Sequence, residues 1–313
     1  MAAQMSGPGA ASTRPRRVWL RIFGVGLALW LLTVVVTFLT GNPTLVPTLV
    51  LLGSFLVPVT FVAWAFTRRH SSEVTAELLL STFVTGGVLG VLAASLLETY
   101  LLHPSPWLFL GVGLIEEAVK LAALAVLTRQ LAHKYARDGM VLGAAVGFGF
   151  AAFESAGYAF TALFTERGLS LMDLVQTEIL RGLLAPVGHG LWTAILGGIL
   201  FSASGRHHFA LTGRLLLSYL GVSVLHALWD STHGIALTLT LLLTGTPWQF
   251  ESLAQGYQPQ PTPLQADLFT VLSWSGLAAL AVIGLAWLLA VRRSTDRQDR
   301  STVFWHIPFT GSR

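Results

Sequence analysis

The chain has 313 residues, of which 53% are hydrophobic and only 11% charged, with a formal net charge of +4. An average soluble domain carries about a quarter charged residues, and the apolar residues here fall in runs long enough to cross a ~30 Å hydrocarbon core as helices. This predicts an all-α, polytopic transmembrane bundle set in a lipid bilayer, with little left over for a soluble domain. There is no cysteine, which excludes disulfides, thiolate catalysis and Cys-ligated metals.

In chain order, residues 1–17 are rich in Gly, Ala, Ser and Pro and are expected to be disordered. Eight spans are predicted, at about 18–39, 44–66, 78–101, 107–128, 139–163, 179–202, 214–235 and 268–291. The first follows a basic stretch, is too long for a signal-peptide core and lacks a small-x-small cleavage site, so it reads as a retained helix. The fifth is crowded with small residues, among them Gly139, Gly143, Gly147 and Gly149, a composition that lets helix backbones approach closely and marks a central helix. The apolar run 215–244 exceeds one crossing and is interrupted by Asp230, Ser231, Thr232, His233 and Gly234. It is read as one span with a bent or re-entrant tail at 236–245, in preference to a ninth crossing. The connection 246–267 contains Pro247, Pro259, Pro261 and Pro263, so it is expected to be extended. The tail beyond Arg293 is charged and is expected to be mobile.

Charge placement orients these spans. With eight crossings, 16 of the 19 Lys and Arg residues fall at one side; Arg167 and Arg181 fall at the other, and Lys120 lies within a span. The positive-inside rule then puts both termini in the cytoplasm and 246–267 outside a cell membrane. The basic balance reports topology, and no nucleic-acid partner is expected.

Ionisable residues inside spans carry the functional signal, because a charge at mid-bilayer is costly and marks a functional site by default. Glu116, Glu117 and Lys120 lie in the fourth span, Glu154 in the fifth, His189 in the sixth, and His226 and Asp230 in the seventh. Glu116, Glu154, His189 and His226 each lie roughly 14–15 Å below the outer ends of their spans, at 1.5 Å rise per residue. The fourth span shows the cost: its Leu, Ile, Val and Phe residues favour insertion by about 5 kcal/mol, whereas three central charges oppose it by roughly 8–9 kcal/mol. Lys120 is four residues from Glu116 and three from Glu117, so it can neutralise one carboxylate and leave the other for chemistry. His226 and Asp230 are also one turn apart, a spacing that orients an imidazole. Arg181, near an end of its span, either holds a carboxylate or sits at the interface. Neither HExxH, GxGD nor GxSG occurs, so the zinc, aspartyl and rhomboid motifs of intramembrane proteolysis are absent.

The stretches Glu116-Glu117-Ala118-Val119-Lys120, Phe150-Ala151-Ala152-Phe153-Glu154, Pro186-Val187-Gly188-His189 and His226-Ala227-Leu228-Trp229-Asp230 resemble the EExxK, FxxxE, His and HxxxD motifs of the PrsW family of intramembrane proteases. That family is similar to the CAAX-processing glutamyl proteases, whose related motifs are EExxxR, FxxxH and HxxxN. The resemblance covers about residues 80–245. It implies a protease-like core over 78–245, two accessory helices over 18–77, an extracytoplasmic loop at 246–267 and a last helix with a cytoplasmic tail over 268–313.

The resemblance also implies a mechanism that fits the residues. Glu116 would act as general base on a water attacking the scissile carbonyl. His226, oriented by Asp230, would stabilise the oxyanion or protonate the leaving amine, and Glu154 and His189 would hold the water or the imidazoles. Glu117, Lys120 and Arg181 complete the set. Where the CAAX relatives carry a His after the Phe, this chain carries Glu154, which changes the balance of donors and acceptors. No metal is favoured; the alternative is a Zn²⁺ held by Glu116, Glu154, His189 and His226. The implied partner is a membrane-anchored protein substrate, such as an anti-sigma-factor-like regulator. Readings from other classes are a proton-coupled transporter, which uses similar intramembrane residues but for which no inverted repeat is visible, and a catalytically silent membrane scaffold.

Overall fold

A computed structural model of the chain describes residues 17–166, 168–204 and 208–304, with the backbone alone over 296–304. The N-terminal segment through residue 16, Arg167 and Arg206 of the charge pattern, and tail residues 305–313 lie outside the described residues. The helices are α1 (Val18–Thr40), α2 (Val46–Phe66), α3 (Ala76–Leu101), α4 (Leu108–Thr128), α5 (Ala136–Ala162), α6 (Leu171–Leu184), α7 (His189–Ala203), α8 (Gly213–Thr244), α9 (Pro247–Ala254) and α10 (Pro263–Phe304). A short antiparallel pair, Phe164–Thr165 with Gly168–Leu169, links α5 to α6.

Helix α5 is the axis of the bundle, with α7, α3 and α2 packed around it. Its small residues explain why. Gly139, Gly143 and Gly147 recur every four residues and face the backbone of α7, where a Cβ would overlap the carbonyls of Gly197, Thr193 and His189. Gly149 meets Gly87 of α3 in the same way. Without a hydrophobic driving force between helices in lipid, such backbone approach supplies the van der Waals contact that holds them. The core that results contains Leu124, Leu142, Val146, Trp192, Ile195, Ile199 and Phe201. By contrast α1 presents most of its surface outward, and Trp30 and Thr37 alone are buried among its residues.

Among the described residues, six helical stretches are long and apolar enough to cross a membrane: Val18–Thr40, Pro43–Phe66, Ala76–Leu101, Ala136–Ala162, Leu171–Ala203 and Pro263–Thr295. The protein is a multi-pass membrane protein. The two remaining predicted spans correspond to α4 and α8, which are helical but carry Glu116, Glu117 and Lys120, and His226, Asp230 and His233. The residues that make these helices functional candidates are the ones that dilute their hydropathy.

Four local expectations are corrected. The predicted sixth span, 179–202, is not one helix: α6 begins at Leu171 and ends at Leu184, a 3₁₀ turn occupies Ala185–Val187, and α7 starts at His189. Pro186 cannot donate to a continuing helix, so the ladder breaks there. The expected bent or re-entrant tail at 236–245 is instead the uninterrupted continuation of α8 to Thr244. The threonines along this stretch bond back into the helix: Thr232, Thr238, Thr240 and Thr244 each donate to the carbonyl four residues back. The connection 246–267 is not wholly extended either. Thr246 and Gln249 form a reciprocal capping box with Pro247 in the first turn, where proline is accepted, and start α9. The Gln249 and Gln265 amides then exchange hydrogen bonds of 3.0 and 2.9 Å, tying α9 to α10. Finally, α10 runs past Arg293 to Phe304, so the predicted tail continues the last helix.

At the end of the bundle where α3 begins and α4 stops, Glu73 binds the ring of His133 at 2.7 Å and the Ala132 amide at 3.0 Å. The His133 contact holds its carboxyl below the usual range.

Candidate active site

A cavity of about 560 Å³ opens near the C-terminal end of α3 and reaches down to Glu116, Glu154 and His189. The five helices α4 to α8 each place ionisable side chains around it. Helix α4 contributes two adjacent carboxylates, and they face different surroundings. Glu116 lines the cavity. Glu117, with no exposed surface, is turned into the bundle.

Lys120, one turn along α4 and also fully buried, is the hub. Its Nζ lies 2.7 Å from Glu117 Oε1, 3.2 Å from Glu116 Oε2 and 2.9 Å from His189 Nδ1. It also sits 4.3 Å from the centroid of the Phe150 ring, a cation–π distance. The expectation that Lys120 would neutralise one of the two carboxylates is therefore corrected: it pairs with both. A fully buried ammonium needs all of its donors satisfied, and a single carboxylate would not suffice.

The two imidazoles are held in different ways. An ammonium only donates, so His189 Nδ1 accepts from Lys120 and its Nε2 carries the proton given to Glu154 Oε2 at 3.1 Å. His189 is the first residue of α7, placed by the break at Pro186 and Gly188. His226, on α8, bonds Glu117 Oε1 through Nδ1 at 3.0 Å. Its Nε2 is 3.4 Å from Asp230 and 3.6 Å from Glu116. The sequence reading made Asp230 the orienting partner of His226; the closer partner is Glu117, on another helix. Trp192 closes the floor, its ring 4.6 Å from that of His226 and 5.3 Å from that of His189.

Glu154 is the last link. Arg181 Nη2 donates to its Oε2, while Arg181 Nε donates to Ser155 Oγ at 2.7 Å. The guanidinium lies over the Tyr158 ring at 4.3 Å. Of the two roles left open for Arg181, holding a carboxylate is the one observed. All of Glu116, Glu117, Lys120, Glu154, Arg181, His189, His226 and Asp230 thus converge through direct contacts. Sequence reasoning missed Trp192, Ser155 and Tyr158, which carry no charge to mark them. It also missed Glu178, only 4% exposed; placing the start of the sixth span at 179 left this residue outside the membrane.

Residues 74–253, which include every one of these positions and run from α3 into α9, match the family model described as PrsW family intramembrane metalloprotease. The chain belongs to the PrsW family. It is a membrane protease, and α1, α2 and α10 lie wholly outside the matched segment of this PrsW-family chain. No curated protein and no solved structure matches it.

The description of the family as metalloproteases asks whether these residues fit a metal. One atom each from Glu116, His189 and His226 lie within 4.8 Å of one another, a spacing that fits a small divalent cation. Glu154, expected as a fourth ligand, is not part of this group, because its carboxylate is engaged by Arg181 and His189. The donor set fits by spacing and chemistry, but the Lys120 ammonium already touches two of its three members, so a cation would bind there with Lys120 neutral or displaced.

Proposed function

We propose that this protein is an endopeptidase that hydrolyses a peptide bond of a membrane-associated protein with a water activated by Glu116. The observation that carries this reading is the unequal setting of the paired carboxylates. Glu116 faces the cavity, whereas Glu117 is enclosed between Lys120 and His226. A water beside Glu116 can give it a proton as it attacks the scissile carbonyl. Lys120 supplies fixed positive charge next to the developing negative charge, at no cost in reorganisation. His226, anchored at Nδ1 by Glu117, presents Nε2 toward Glu116 and Asp230 and can hand a proton to the leaving amine. His189 and Glu154, braced by Arg181, hold the opposite wall. A membrane-anchored regulator of the anti-sigma-factor kind is the substrate class implied by family membership.

The metal-free version is favoured because Lys120 stands where a cation would be repelled: two unit charges 4 Å apart interact by about 4 kcal/mol at an effective dielectric of 20, and a divalent ion doubles this. The second reading rests on the Glu116, His189 and His226 group; a divalent ion held there would polarise the scissile carbonyl and lower the pKa of a bound water. Metal analysis of the purified protein, with cleavage measured before and after chelation, separates the two. We expect activity to survive removal of bound metal. Loss on chelation with recovery on adding Zn²⁺ would establish the second reading.

The topology proposed with this mechanism has eight crossings, adding α4 and α8 to the six apolar stretches, with both termini cytoplasmic. Reporter fusions after Arg137 and after Arg297 should then report cytoplasm and a fusion at Gln258 the outer side. A cytoplasmic signal at Gln258 would overturn it.

A further inference from the structure

Glu178 is a buried carboxyl that the proposed chemistry does not use. It sits on α6, where Leu174, Glu178 and Arg181, spaced four and three residues apart, share one helix face. Its Oε2 accepts a 2.8 Å hydrogen bond from the indole Nε1 of Trp30. Its Oε1 is buried with no hydrogen-bond partner. Room for the carboxyl is made by Gly53 on α2, where a Cβ would overlap it. Three helices therefore meet on one carboxyl, and two of them, α1 and α2, precede the matched segment.

The location gives this junction its meaning. Helix α6 packs on α2 and α5 while Ile179 and Leu183 on its other face stand exposed. Through Leu180, Arg181 and Leu184 it forms a wall of the cavity. Its C-terminal end is the 3₁₀ turn that leads directly into His189. One turn of helix from Glu178, Arg181 donates to both Glu154 and Ser155. A helix anchored at Glu178 holds Arg181 at a fixed height against Glu154; one released there can slide or tilt, since a lone buried carboxyl with an unfilled acceptor gains nothing from staying in place.

We infer that Trp30, Gly53 and Glu178 form a latch by which the two N-terminal helices fix α6, so that Glu178 is a positioning residue acting on the active site through Arg181 and Glu154. The inference rests on the proposed protease reading for its kinetic consequence, but not for its structural one. It makes α1 and α2 part of the working enzyme.

The test uses the full chain in detergent. Trp30→Phe removes the indole donor and keeps a ring; Gly53→Ala pushes on the carboxyl from α2; Glu178→Leu abolishes the acceptor, and Glu178→Gln restores one. The first three should lower kcat by about tenfold, the effect of losing one well-placed hydrogen bond, with little change in KM, and Glu178→Gln should recover most of the loss. Val34→Ala, which thins the packing around the same junction without touching the carboxyl, should lower thermal stability and leave kcat alone. In a double-mutant cycle, Trp30→Phe and Arg181→Lys should be non-additive, because both act on Glu154 through one contact. The absence of cysteine provides a readout independent of catalysis. A single cysteine replacing Leu180 should react with a water-soluble maleimide at a different rate in the latch variants, while one replacing Ser95, on the α3 wall, should not. Altered labelling at 180 with no cleavage by any form would uphold the latch and overturn the protease reading. Cleavage by the parent with unchanged kcat and unchanged labelling in Trp30→Phe and Gly53→Ala, or full additivity with Arg181→Lys, would overturn the latch.

Discussion

Glu116→Gln should reduce peptide-bond cleavage by about 100-fold or more, the scale of general-base catalysis, while the protein still inserts and unfolds at nearly the parent temperature. The asymmetry between the two α4 carboxylates is the reason. Removing the charge at Glu116 leaves Lys120 paired with Glu117 at 2.7 Å, so no buried cation is stranded, and the amide keeps an acceptor for the 3.2 Å contact. Glu117→Ala is the contrasting variant. It takes away the carboxylate that satisfies both Lys120 and His226, and breaking a buried pair costs roughly 3–5 kcal/mol. It should therefore lower stability as well as activity. Turnover of a membrane substrate and thermal unfolding, measured on both variants in the same detergent, give the comparison. Full activity in Glu116→Gln would remove Glu116 from the role of base, and equal stability of the two variants would contradict the division of labour between them.

Lys120→Met should have the second large effect. Lys120 is the cation shared by Glu116, Glu117 and the Nδ1 atom of His189. Without it, two neighbouring carboxylates in a buried site cannot both stay ionised, and at least one takes up a proton. If that one is Glu116, the base is blocked until the solution is more alkaline. Activity should then be lost near neutral pH and return in part at higher pH, so the acid limb of the profile moves upward. The variant should still insert, because it carries one charge fewer in a helix whose charges oppose insertion. Lys120→Arg keeps the charge and should be milder, though a planar guanidinium does not fit the three directions that a compact ammonium satisfies. The measurement is the pH–activity profile of both variants at equal membrane levels. A Lys120→Met profile that superimposes on the parent would show that the carboxylates do not depend on this cation.

Much of the architecture was legible in the chain because the membrane makes it so. A lipid core tolerates only backbones that satisfy their own hydrogen bonds, so long apolar runs had to be helices, and their ends fell within a few residues of prediction for α1, α2, α3, α4 and α5. The small-residue stripe of α5 identified the central helix, since only small side chains allow the backbone approach seen at Gly139, Gly143 and Gly147. Candidate site residues stood out for a related reason: charges inside apolar runs are rare enough to be read one by one. What misled the reading was local chemistry that overrides composition. Pro186 broke an apolar run that hydropathy treats as continuous, while the polar cluster at 230–234 left α8 unbroken, with the Thr232 hydroxyl bonded back to the Leu228 carbonyl.

By itself, then, the sequence determined the all-helical membrane class and the identity of the charged residues, both of which follow from the cost of moving polar groups into hydrocarbon. Only the tertiary structure decided which partner each charge has. Spacing along α4 allowed Lys120 to reach either carboxylate, and spacing along α8 made Asp230 the obvious partner of His226. The choice was made by side chains arriving from other helices: His226 and Lys120 enclose Glu117, leaving Glu116 to face the cavity. The same holds for Arg181, whose role depended on α6 lying against Glu154, and for Glu178, whose partner Trp30 is 148 residues away in sequence. Helical periodicity links residues three or four apart and is silent on contacts between helices, so these pairings became visible only when the bundle closed.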